Sequence, residues 1–190
     1  MTDSDYYAAR RRSLLPIVGT ILVVHVVFAF ATFFLMYFFG LFLSPSAAQT
    51  VGSVVSIILF TAMMYTEIWR LGQQDRNLMN FGHLKDDKYR GVKGALISQI
   101  PGLILAILAI VSRMTGALPE IFVAIFKMFY ASFVDLIWLS EQATPLLFIL
   151  FVIPTTLIVH VAYLLGYKGY RISDNFYEKK SQDISRDKKF

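Results

Sequence analysis

Four long apolar stretches alternate with short polar ones along this chain. The apolar stretches cover about 14–43, 50–69, 95–115 and 145–167. Each can carry a helix across roughly 30 Å of hydrocarbon, which takes about 20 residues. A helix is the natural form for such a stretch in lipid, because it bonds all of its backbone polar groups internally. The pattern predicts an all-α integral membrane protein with four transmembrane helices, forming a single membrane domain over 1–190. Pro16 suits the first turn of the first helix, and Ser44-Pro45-Ser46 ends it. At about 45 Å that helix is longer than the hydrocarbon, so it tilts or projects. Pro101 and Pro154 fall inside the third and fourth stretches and predict bends there. Thr155 and Thr156 follow the second proline, where a hydroxyl can satisfy a freed carbonyl.

The segment 119–138 has a different pattern. Phe122, Phe126, Phe129 and Phe133 recur at helical spacing and share one face. Glu120, Lys127, Asp135 and Trp138 fall opposite. The pattern predicts an amphipathic helix on the outer side between the third and fourth spans, either lying along the surface or dipping in as a re-entrant segment. Seven phenylalanines of the first span lie mostly in its outer half. The outer helix is expected to turn its aromatic stripe toward them.

Charge gives this pattern an orientation. Sixteen of the 18 Lys and Arg residues form three clusters. Arg10–Arg12 precede the first stretch. Six basic residues between Arg70 and Lys93 separate the second from the third, and seven from Lys168 to Lys189 follow the last. Basic residues near spans stay on the cytoplasmic side. The expected topology is therefore a multi-pass protein of the cell membrane with both termini cytoplasmic. The loop 70–94 and the tail 168–190 would face anionic headgroups. A crossing at 119–138 would put the basic tail outside, so four spans are expected rather than five.

Composition narrows the function classes. The pI near 9.4 does not indicate nucleic acid, because the charge sits at membrane borders. The absence of Cys excludes disulfides, thiolate metal sites and a Cys nucleophile. Ser46-Ala47-Ala48 resembles a signal-peptidase site, but the apolar run before it far exceeds the roughly 7–15 residues of a signal core, so a retained anchor is expected. Asp75, His83, Asp86 and Asp87 match no metal-binding motif. No metal or cofactor is expected.

Two groups of residues are candidates for function. His25, Glu67, Ser98, Gln99 and His160 are polar groups within or at the ends of the spans. They form either a polar pathway or a set of interhelical hydrogen bonds. Ala48, Gly52 and Ser56 make one ridge of small residues, and Ser98, Gly102 and Ala106 another. Such ridges let helices approach closely, within the chain or between copies. Two readings follow. One is a non-enzymatic membrane subunit that self-assembles or docks a partner through its cytoplasmic loop and tail, as a homo-oligomer or hetero-complex. The other is a small oligomeric channel or transporter lined by His25, Glu67, Gln99 and His160.

Overall fold

A computed structural model describes residues 13–84 and 86–170. Arg10–Arg12, Lys85 and the tail 171–190 lie outside the described residues. The elements in chain order are α1 (Leu15–Gly40), α2 (Pro45–Asn80), α3 (Arg90–Ser98), α4 (Ile100–Thr115), α5 (Ile121–Phe129), α6 (Val134–Ala143) and α7 (Val152–Lys168). Short 3-10 turns cover Ala131–Phe133 and Pro145–Phe151. Four helical stretches are long and apolar enough to cross a membrane: α1, α2, α3 with α4, and Pro145–Lys168. Between the last two, α5 and Ala131–Ala143 meet at 90°. The ends of α1, α2, α3 and α7 that adjoin the basic clusters gather at one end of the bundle, here the basic end. The opposite end is the far end.

Two of the expected boundaries are corrected. The second helix does not stop at Trp69 but continues to Asn80. At 36 residues it is about 54 Å long and projects beyond any hydrocarbon layer. The loop 70–94 therefore shrinks to the short connection between Asn80 and Arg90. The third helix has its break at Gln99, two residues before Pro101, which occupies the first turn of α4. Pro lacks the N–H that would continue the hydrogen-bond ladder, so the chain restarts its helix there. Gly116 and Gly169 end α4 and α7 in the left-handed conformation, with φ of 63° and 70°, as C-terminal glycines do.

The segment between the third and fourth spans is a bent helix pair. Its aromatic stripe is divided between the two parts. Phe122, Phe126 and Phe129 ride on α5, and Phe133 closes the 3-10 turn. α5 starts beside the far end of α4 and runs back into the bundle. Phe129 stacks on His25 with ring centroids 5.0 Å apart. Phe126 stacks on Phe148 at 4.7 Å, and Phe133 meets Phe60 at 5.6 Å. The segment therefore enters the bundle from the far end and turns back within it. Its stripe meets the first span at His25 through Phe129, while Phe30, Phe33, Phe34, Phe38 and Phe42, toward the far end of that span, stay exposed.

Glycine sets the closest helix approach. α2 and α7 run in the same direction and touch at Gly72 and Gly166. A Cβ on Gly166 would collide with the Trp69 carbonyl, and one on Gly72 would come within 2.9 Å of the Tyr167 nitrogen. The Trp69 indole then donates to the Tyr170 carbonyl at 2.9 Å. Such close backbone contact supplies van der Waals packing where the two helices meet. Replacing Gly166 by Leu is expected to cost about 1–3 kcal/mol by overpacking, lowering the melting temperature in detergent by roughly 3–10 °C. Gly19 has open space around its Cβ position, so Gly19→Ala should leave that temperature level or raise it.

Candidate functional site

The interior holds two clusters of polar groups, and the tip of the bent pair contributes to both. Nearer the far end, Thr32 of α1 donates its hydroxyl hydrogen to the Phe28 carbonyl at 2.7 Å. Its oxygen also lies in hydrogen-bond contact with Ser56 of α2 and with Ser132 of the tip, the latter at 3.4 Å. Ser56 and Ser132 are themselves 3.2 Å apart. All three side chains are buried. A small side chain at each position lets three elements converge and satisfies hydroxyls that lipid would leave unpaired.

The second cluster lies deeper. Tyr130, the residue at the bend, donates its hydroxyl to Gln99 Oε1 at 2.9 Å. Gln99 is the residue at which the third span breaks, and Gly102 one turn later leaves room for the Tyr130 and Phe129 rings. His25 faces the same group, with Phe60, Phe129 and Tyr130 around its ring. His25 Nδ1 is 3.0 Å from the Ile21 carbonyl. A carbonyl only accepts, so Nδ1 carries the hydrogen and Nε2 presents a lone pair. That Nε2 and Gln99 Nε2 are both buried without a hydrogen-bond partner among the described residues.

The structure thus brings together some of the expected polar residues and separates others. His25 and Gln99 meet around Tyr130. Ser98 is buried beside them in sequence but returns its hydroxyl to the Ala95 carbonyl. Glu67 pairs with Arg70 at 2.8 Å, one helical turn away. His160 keeps its Nδ1 buried and unpartnered on α7. The first small-residue ridge faces α1 of the same chain, with Gly52 against Met36 and Ser56 against Thr32. The second faces the tip through Gly102. Tyr130, Thr32 and Ser132 were not anticipated, because hydroxyls scattered among apolar residues carry no spacing signal.

A third polar site occupies the basic end. Asp75, on the projecting part of α2, pairs with Arg90 Nε at 2.9 Å and accepts from the Tyr163 hydroxyl at 2.8 Å. Arg90 also donates to the Ser13 carbonyl at 2.6 Å. The Arg90 and Asp75 side chains are 8% and 11% exposed, so removing one partner would strand the other charge at a cost of about 3–5 kcal/mol. Gly91 leaves room for the Tyr163 ring. Beside the pair opens a cleft of about 400 Å³, lined by Pro16, Ile17, Leu71, Gln74, Asp75, Asn77, Leu78, Phe81 and Arg90. Asp86 accepts from Tyr167, and Asp87 pairs with Lys93 at 2.9 Å. No three His, Asp or Glu side chains gather as a metal site among the described residues.

No protein-family model matches the chain, and neither a curated protein nor a solved structure is similar to it.

At the far end, charge ties the tip to the bundle. Glu141 of α6 pairs with Lys127 of α5 at 2.6 Å and with Arg113 of α4, which also holds Glu120 at 2.9 Å. Burial raises the affinity of the Glu141 carboxyl for a proton. The hydrogen bond and charge of Lys127, followed by those of Arg113, outweigh that, so its pKa lies below the ordinary 4.5. A depressed carboxylate adds stability above its unfolded pKa and loses it as pH falls through the lower folded value. The melting temperature of the detergent-solubilised chain should therefore fall as pH is lowered below about 4.5. Glu141→Gln should start lower at neutral pH and lose less over the same window. Equal losses in both proteins would remove the clamp from this account.

Proposed function

We propose that the chain is a non-enzymatic membrane subunit that self-assembles or docks a partner at its basic end. The projection of α2 carries this reading. Past Trp69 the helix continues for three turns and ends beside Phe81, which is 76% exposed, with Tyr89 at 62% across the connection. Both aromatics lie beyond the apolar stretches, where no hydrocarbon covers them. Exposed aromatics outside lipid are characteristic anchors of protein interfaces. The basic clusters favour a cytoplasmic setting for this end and both termini, in the cell membrane. Arg70, Lys88 and Lys93 suit contact with anionic headgroups. The interior is consistent with a structural body, since most of its buried polar side chains hydrogen-bond a backbone carbonyl or another side chain.

The His25 and Gln99 nitrogens favour a second reading. They stand unpartnered where the tip of the bent pair meets a broken helix, and such breaks build the substrate sites of many transporters. An oligomeric channel or transporter would use His25, Gln99 and His160, with Glu67 nearer its mouth.

Gentle extraction followed by native mass measurement separates the two. The subunit reading expects more than one copy or a companion protein. Replacing Phe81 and Tyr89 together by Asp should release that companion without lowering the melting temperature. A monomer whose ion flux in liposomes disappears in His25→Ala would reverse the ranking.

A further inference from the structure

The cleft at the basic end has a chemistry of its own, although Phe81 of the docking surface also forms part of its rim. Its volume of about 400 Å³ falls within the range of small-molecule sites. Its floor is apolar and closed: Ile17 is 1% exposed, and Leu71 and Leu78 form part of the wall. The two charges that reach it are already committed. Arg90 holds Asp75 and the Ser13 carbonyl, and Asp75 holds Arg90 and the Tyr163 hydroxyl. Among the described residues of the lining, a phosphate would find no uncommitted cation and an ammonium no uncommitted anion. The polar groups left to a ligand are the side-chain amides of Gln74 and Asn77. Each offers N–H donors and a carbonyl acceptor without charge.

Position adds the second constraint. Asp75 lies six residues past Trp69, about 9 Å along the helix axis. Trp belongs at the membrane–water border, so the cleft opens at headgroup depth. Pro16 and Ile17 bring the start of the first span into its wall, and the neighbouring Leu15 is 65% exposed on the outside of the bundle. A molecule can therefore reach it sideways from the bilayer.

We propose that this cleft binds the head of an uncharged amphiphile, a lipid of the diacylglycerol type. Its hydroxyl and ester oxygens bond Gln74 and Asn77, and its chains leave past Pro16 into the hydrocarbon. An apolar floor, neutral amides and internally neutralised charges together select against phosphate-bearing lipids.

The test uses the full chain in nanodiscs of phosphatidylcholine, with Leu78→Trp as a reporter in a Trp69→Phe, Trp138→Phe background. Diacylglycerol with brominated chains should quench that indole to a plateau, at a mole fraction where brominated phosphatidylglycerol has no more effect than brominated phosphatidylcholine. Gln74→Leu with Asn77→Leu should abolish the difference. Equal quenching by all three lipids, or stronger quenching by phosphatidylglycerol, overturns the proposal. Native mass measurement of the unsubstituted chain gives a readout that does not depend on the reporter's folding. Adducts of diacylglycerol should outlast those of phosphatidylglycerol as collision energy rises, and the reverse order again overturns the proposal. Neither measurement involves a docked protein, so either result leaves the subunit reading to its own test.

Discussion

A polar group inside this bundle has neither water nor hydrocarbon to satisfy it, so it must find another polar group. That requirement shapes the fold more than any apolar contact. Lipid solvates leucine as well as another helix does, so apolarity alone sets no helix in its place. The hydrogen bond from Tyr130 to Gln99 and the group of Thr32, Ser56 and Ser132 provide fixed points. They hold the tip of a short helix pair between spans that are continuous elsewhere. Gly102 and Gly52 act through the same requirement by letting side chains or backbones approach closely. The salt bridges of Glu141 then close the far end over the inserted tip.

The spans were legible in the sequence because their signal is redundant. Twenty apolar residues in a row have few other interpretations, and the basic clusters mark where each stretch ends. Glycine packing was partly legible. The ridges through Gly52 and Gly102 stand out as repeats of small residues, whereas Gly72 and Gly166 are single glycines whose partners lie on another helix. The break at the third span was legible from Pro101, although the chain parts at Gln99. The projecting half of α2 was not, since Arg70–Asn80 is polar enough to read as loop. It is helical because Asp75 is tied to Arg90 and Tyr163, a tertiary cause with no local mark.

The candidate sites show the same limit more sharply. His25 and Gln99 attracted notice as polar residues inside spans. Tyr130 did not, because it follows directly after a phenylalanine stripe and reads as one more aromatic. Its role depends on where the helix bends, and the stripe taken alone predicts an unbroken helix. The cleft beside Arg90 combines residues from three separate elements, and no sequence window contains it. Its neutrality is a further property that appears only once the pairing of Asp75 with Arg90 is known.

The central claim is that the segment between α4 and the last span enters from the far end, reaches the middle of the bundle at Tyr130 and returns. The chain has no cysteine, so single cysteines can be placed along the segment and labelled in sealed vesicles with a reagent that does not cross the membrane. Cysteines replacing Ala117 and Thr144 should react from the same side of the membrane, while one replacing Ala131 should react from neither. Reaction of the Thr144 position from the opposite side, or ready reaction of the Ala131 position, would contradict the account.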